Sequence, residues 1–100
     1  MPKEKKIFVP DTNVLLHNFR ALELFGSNEI IIPLTVLEEL DRFKKGKDET
    51  NVNARSAIRL IDKLREQGNL AKGVKLDSGG SLRVISNNNK EIKKIMKSWI

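Results

Sequence analysis

The chain has 100 residues, enough for one hydrophobic core and too few for two. With 39% hydrophobic and 32% charged residues it is not a disordered chain, and no apolar run approaches the roughly 20 residues of a membrane span. Cysteine is absent, which excludes disulfides and thiolate metal sites and leaves oxygen ligands or the lone His17 for any metal. Three apolar residues precede Pro10, too few for a signal-peptide core, so the expected compartment is the cytoplasm with no membrane partner. A formal charge of +6, from 19 Lys and Arg against 13 Asp and Glu, makes polyanions candidate partners, although small soluble domains also carry such charge for solubility alone.

In chain order, Ile7, Phe8 and Val9 read as a buried strand closed by Pro10, and Asp11-Thr12-Asn13 leads into the helical turns of Val14-Leu15-Leu16. The next turns, Ala21 to Phe25, stop at Gly26. Glu29 to Pro33 is a second buried strand closed by proline, and a short helix follows from Leu34 to Phe43. Strand, helix, strand, helix predicts an α/β fold with a parallel sheet covered by helices. After the polar stretch Lys44 to Thr50, Asn51 or Asn53 is the expected cap of a helix running to Gln67. Its core face is Ala54, Ala57, Ile58, Leu60, Ile61 and Leu64, with Arg55, Arg59, Asp62 and Glu66 on a solvated face. Val74, Leu76, Leu82 and Val84 alternate around Gly79-Gly80, predicting a β-hairpin near residues 74–85. Ile92, Ile95, Met96 and Trp99 mark a last amphipathic helix. Phe8, Phe25 and Phe43 are expected in the core, which leaves no aromatic stacking platform.

The acids divide by position. Asp11 fits two readings, a helix cap or a ligand placed at the carboxyl end of a strand, where open parallel sheets bind ligands. Glu38 completes the capping-box pattern Thr35-Val36-Leu37-Glu38 and has a structural task. At about 100° per residue, Glu39 falls about 60° from Val36, at the edge of the apolar stripe, where an ionised carboxylate is costly unless a cation or donor meets it. Asp41 lies on the other flank. Asp11 and Glu39 converging over one sheet edge would hold Mg²⁺ or Mn²⁺ and support phosphodiester hydrolysis. Lys44, Lys45 and Lys47 leave the same helix and are candidates for guiding phosphates.

Val9-Pro10-Asp11-Thr12-Asn13-Val14-Leu15, followed by Ile32-Pro33-Leu34-Thr35-Val36-Leu37-Glu38-Glu39-Leu40-Asp41, resembles a PIN domain, most nearly the one that precedes a PhoH-type ATPase. Asn53-Ala54-Arg55, Ala57-Ile58-Arg59 and the Gly79-Gly80 hairpin before Leu82-Arg83-Val84 resemble the same subgroup, over residues 7–86. The resemblance implies a Rossmann-like, three-layer α/β/α sandwich and a metal-dependent endoribonuclease acting on single-stranded RNA. Asp11 and Glu39 match the first two family acids, Thr12 and Asn13 the residues supporting the first, and Asp41 and Arg55 positions of the subgroup, Arg55 as an RNA contact. A PhoH-type ATPase domain and a homo-oligomer are further partners it suggests. The family draws a third acid, often a fourth, from segments after the hairpin, where Asn87 to Ile100 offers only Glu91. The chain therefore reads as one PIN-like domain over 1–100, truncated at its C-terminal side, with its first strand left on an open edge. A catalytically weak or inactive RNA-binding or protein-interaction module is the alternative.

Overall fold

Ile30, Ile31 and Ile32 are all buried, which a strand achieves only when both faces of its sheet are covered. The computed structural model describes residues 6–24, 27–77, 79–86, 90 and 94. In chain order these form β1 (Ile7–Phe8), α1 (Thr12–His17), α2 (Ala21–Leu24), β2 (Glu29–Pro33), α3 (Leu34–Phe43), α4 (Glu49–Gln67), β3 (Val74–Lys75) and β4 (Ser81–Ile85). The sheet order is β1-β2-β4-β3. β1 and β4 run parallel to β2, and β3 runs antiparallel to β4 as the first arm of the expected hairpin. No described helix is long and apolar enough to cross a membrane.

Register decides what meets the helices. Ile30 lies beside Leu82 and Ile32 beside Val84, so alternate residues of both strands supply one apolar face. That face joins Leu15 and Leu16 of α1, Val36, Leu37 and Leu40 of α3, and Ala54, Ala57, Ile58, Ile61 and Leu64 of α4 in one core. α1, α3 and α4 also pack against one another. On the opposite face Ile31 lies beside Arg83, whose Nη2 reaches Glu29 Oε1 at 3.4 Å.

Several expectations change on contact with the fold. Among the described residues β1 is an edge strand, in line with the open edge that the resemblance implied, so the apolar run read as buried from its pattern is largely open: Ile7 is 60% exposed and Val9 59%. Phe43, the last residue of α3, is 41% exposed instead of in the core. The Thr35–Glu38 capping box does not form, because α3 starts at Leu34 directly from Pro33 and Thr35 is already inside it. Asp48 takes the N-cap position of α4, and Asn51, three residues on, accepts the Asp48 N–H at 3.1 Å. Phe25, Gly26, Asn87 and the residues that mark the expected last helix, Ile92, Ile95, Met96 and Trp99, lie outside the described residues.

Asn53, the other expected cap, has a different task. It is buried inside α4, and its Nδ2 donates to the Leu16 carbonyl at 2.7 Å, tying α4 to the last turn of α1. Asn53→Ala leaves that carbonyl unpartnered in the core, which costs about 1–3 kcal/mol, while alanine recovers about 0.5 kcal/mol in helix propensity. Urea unfolding should therefore show a net loss; an unchanged midpoint would mean the bond is replaced by water.

Candidate active site

Asp11 stands at the N-cap position of α1 with extended backbone angles, φ −74° and ψ 152°, yet its carboxylate makes no capping hydrogen bond. The helix is started by the Asp11 carbonyl, which accepts from Val14 N at 3.0 Å and Leu15 N at 3.4 Å. The side chain is exposed, so of its two readings the cap is not realised and the carboxylate is left for another use. Thr12 is 3% exposed, and its Oγ1 has no hydrogen-bond partner among the described residues. A buried hydroxyl in that condition is uncommon and marks a place where a water or ligand atom is wanted. Asn13 is exposed, and its carbonyl accepts from Nδ1 of the exposed His17 at 2.8 Å.

Continuing the register of Phe8 beside Ile30 for three residues sets Asp11 level with Pro33, from which α3 springs. Along α3, Val36, Leu37 and Leu40 are buried, Glu38 is exposed and Glu39 is half-buried. The adjacent glutamates therefore occupy different environments, as the helical period requires. At about 1.5 Å of rise per residue, Glu39 stands about 7.5 Å along α3 from Leu34, on a helix that touches α1. Asp41 is half-buried and ion-paired with Lys44 Nζ at 2.8 Å, which holds both side chains at the end of α3. No cluster of three or more Asp, Glu or His suited to a metal occurs among the described residues.

The basic stretch after α3 is a stitched turn. Arg55, expected on the solvated face of α4, is half-buried, and its Nη1 donates to the carbonyls of Lys44 and Gly46, each at 2.8 Å. Asn51 Nδ2 donates to the Phe43 carbonyl at 2.8 Å while Asn51 Oδ1 accepts from Asp48 N. Gly46 has φ +129°, and a Cβ there would collide with the Asn51 carboxamide, so glycine is required on two counts. Lys45 and Lys47 stand exposed on this turn. Arg55 and Asn51 as the stitches were missed from sequence; the available signal was a glycine among lysines followed by an asparagine at the third helical position.

The profile of the PIN domain family matches residues 8–98. The chain belongs to the PIN domain family. It is 51% identical over 79 residues to Protein PhoH2 of Bacillus subtilis (strain 168), covering 79% of this chain and 18% of that protein. It is 37% identical over 81 residues to Protein PhoH2 of Mycolicibacterium smegmatis, covering 79% of this chain and 18% of the relative. Protein PhoH2 of Thermobispora bispora is 34% identical over 79 residues, 78% of this chain and 18% of its own length. The PIN domain described here thus spans under a fifth of the curated relatives it matches. No solved structure matches the chain.

The stitched turn of this PIN domain is directly testable. Arg55→Ala removes the donor to two carbonyls and should speed tryptic cleavage after Lys45 and Lys47, read by mass spectrometry, before the domain unfolds globally. Unchanged cleavage kinetics would show that the turn holds without the guanidinium.

Proposed function

We propose that this PIN domain hydrolyses single-stranded RNA with a divalent ion, Asp11 and Glu39 being the acids that hold it. The observation carrying this reading is the Asp11 carboxylate, placed at the carboxyl end of a parallel strand and left out of the helix cap it was positioned to make. The donor set is compatible: Mg²⁺ keeps several waters and binds through one or two carboxylates, and hard oxygen ligands suit Mn²⁺ equally. The orphaned Thr12 hydroxyl next to Asp11 is a further polar group that a water at such a site would satisfy. When bound, the ion supplies water activation and neutralises charge developing on the phosphate.

The chain's own residues have separate tasks. Asp11 and Glu39 bind and orient the ion, and Asn13, its carbonyl engaged by His17, fixes the first turn of α1 behind Asp11. Lys45 and Lys47, on a turn held by four hydrogen bonds, meet the strand's phosphates without first ordering the backbone that presents them. Lys44 contributes less, being engaged with Asp41. The partner is a PhoH-type ATPase domain, as the sequence resemblance implies; relatives named PhoH2, of which this segment is 18%, have room for such a domain. A second reading, an RNA-binding module without cleavage, is favoured by one observation: the described residues offer no third acid to the pair.

Cleavage of a 5′-labelled single-stranded RNA with Mg²⁺ or Mn²⁺ separates the two. Asp11→Asn or Glu39→Gln should lower the rate about a hundredfold, the equivalent of about 2.7 kcal/mol, while Glu38→Gln leaves it unchanged. Paired melting curves provide the control, since Mn²⁺ bound only to the folded protein raises Tm, and Glu39→Gln should lose that shift. RNA binding without cleavage by the parent protein selects the module instead. Replacing Lys45 and Lys47 by Gln should lower the slope of log affinity against log salt by about 1.4, from about 0.7 per single-strand phosphate contact. If replacing Lys44 alone changes the slope as much as replacing the other two together, the division of labour is wrong.

A further inference from the structure

A cleft of about 340 Å³ lies at the end of the sheet opposite Asp11 and Glu39. Its floor is Leu22 of α2, Leu60 and Leu64 of α4 and Leu76 of the hairpin, and two exposed lysines, Lys63 and Lys75, stand at its rim. The hairpin sets the location. Ser81 is in register with Glu29, the first residue of β2, and the turn at Gly79 approaches Ser27, so the cleft lies where β2 and β4 begin. Asp11 and α3 lie where β1 and β2 end.

We propose that this cleft docks an acidic peptide segment of a partner protein that inserts an aliphatic or aromatic anchor between Lys63 and Lys75. Leu60 and Leu76 pack against the core yet remain only partly buried, leaving apolar surface to be covered. Charge at the rim favours an acid: Asp77 is the one carboxylate lining the cleft, and Asp62, beside Lys63 in sequence, is held by Arg65 at 2.7 Å. The volume is at the lower limit of small-molecule sites, about 300 Å³, which suits an anchoring side chain better than a cofactor. Single-stranded RNA is disfavoured because bases are held by aromatic or arginine planes, and this floor is made of four leucines. The inference stands whether or not the acid pair cleaves RNA.

The test is selection of peptides on the whole protein from a phage-displayed random library, followed by affinity measurement with the synthesised winner. Enriched sequences should combine Asp or Glu with a large apolar residue. Lys63→Glu with Lys75→Glu should weaken the winner about tenfold, two reversed exposed ion pairs being worth about 1.4 kcal/mol in all. Asp11→Asn should bind it as the parent does, and excess uridine oligomer should not displace it. Melting of each variant checks that it is folded. Failure to enrich any peptide, enrichment of basic or purely polar ones, or binding indifferent to the charge reversal would overturn the proposal. Displacement by the uridine oligomer would assign the cleft to RNA, and a concentration-dependent dimer dissolved by the charge reversal would assign it to a second copy; either overturns it.

Discussion

Pro10 and Pro33 have no amide hydrogen to give a sheet, and extending the β1–β2 register sets them one residue apart, although the pairing of β1 already ends at Phe8 while β2 pairs with β4 up to Pro33. Each proline is followed almost at once by a helix, α1 after the single residue Asp11 and α3 after none. A helix that leaves a strand without a loop has its rotational phase set by that strand. Leu37 and Leu40, both fully buried, then lock α3 against the core, which turns Glu38 outward and Glu39 to the boundary. The different environments of Glu38 and Glu39 thus follow from a helix that begins where β2 ends.

The turn between α3 and α4 works by a different economy of forces. Five residues, Lys44 to Asp48, carry three lysines that repel one another, and a loop of that composition left to itself would spread over many conformations. Hydrogen bonds from Arg55 and Asn51, both on α4, hold three of its neighbouring carbonyls. α4 is itself fixed by Asn53 to α1 and by five apolar side chains to the core. The cationic turn is therefore tied, through one helix, to the same α1 that begins beside Asp11.

Local pattern carried much of this. Two proline-ended strands, the amphipathic α3 and α4, the glycine hairpin and the environments of Glu38 and Glu39 depend on periodicity within one segment, and the chain displays that directly. What was illegible depends on neighbours. The apolar run alone makes Ile7 and Val9 look buried; their exposure depends on the sheet order, and the open edge beside β1 was expected only through the family resemblance. Thr35 and Glu38 match a capping box, but a strand running straight into α3 moves the helix start past them. Arg55 occupies a polar position on the α4 wheel, and only the path of the preceding loop turns it back toward two carbonyls. Phe43 matches the apolar stripe of α3, but the helix ends with it and there is no further turn to cover the ring.

The two ends of the sheet differ for a reason that begins in strand length. β2 and β4 pair over five residues, whereas β3 contributes only two, Val74 and Lys75, before the chain turns at Gly79. Beside so short a strand Leu64 of α4 is buried, while Leu60, one turn earlier, and Leu76, next to the strand, stay partly uncovered. A longer β3 would close the cleft and extend the core. At the opposite end β1 and β2 give way to helix starts, so unpaired backbone groups lie there instead. A ligand in the leucine cleft and one beside Asp11 are separated by the length of β2, about 17 Å at about 3.3 Å per residue. At that separation, beyond a Debye length of about 8 Å in physiological salt, charge at one site is largely screened from the other. Any influence between them has to pass through the packing of α4, the element that lines the cleft with Leu60 and Leu64 and stitches the cationic turn with Arg55.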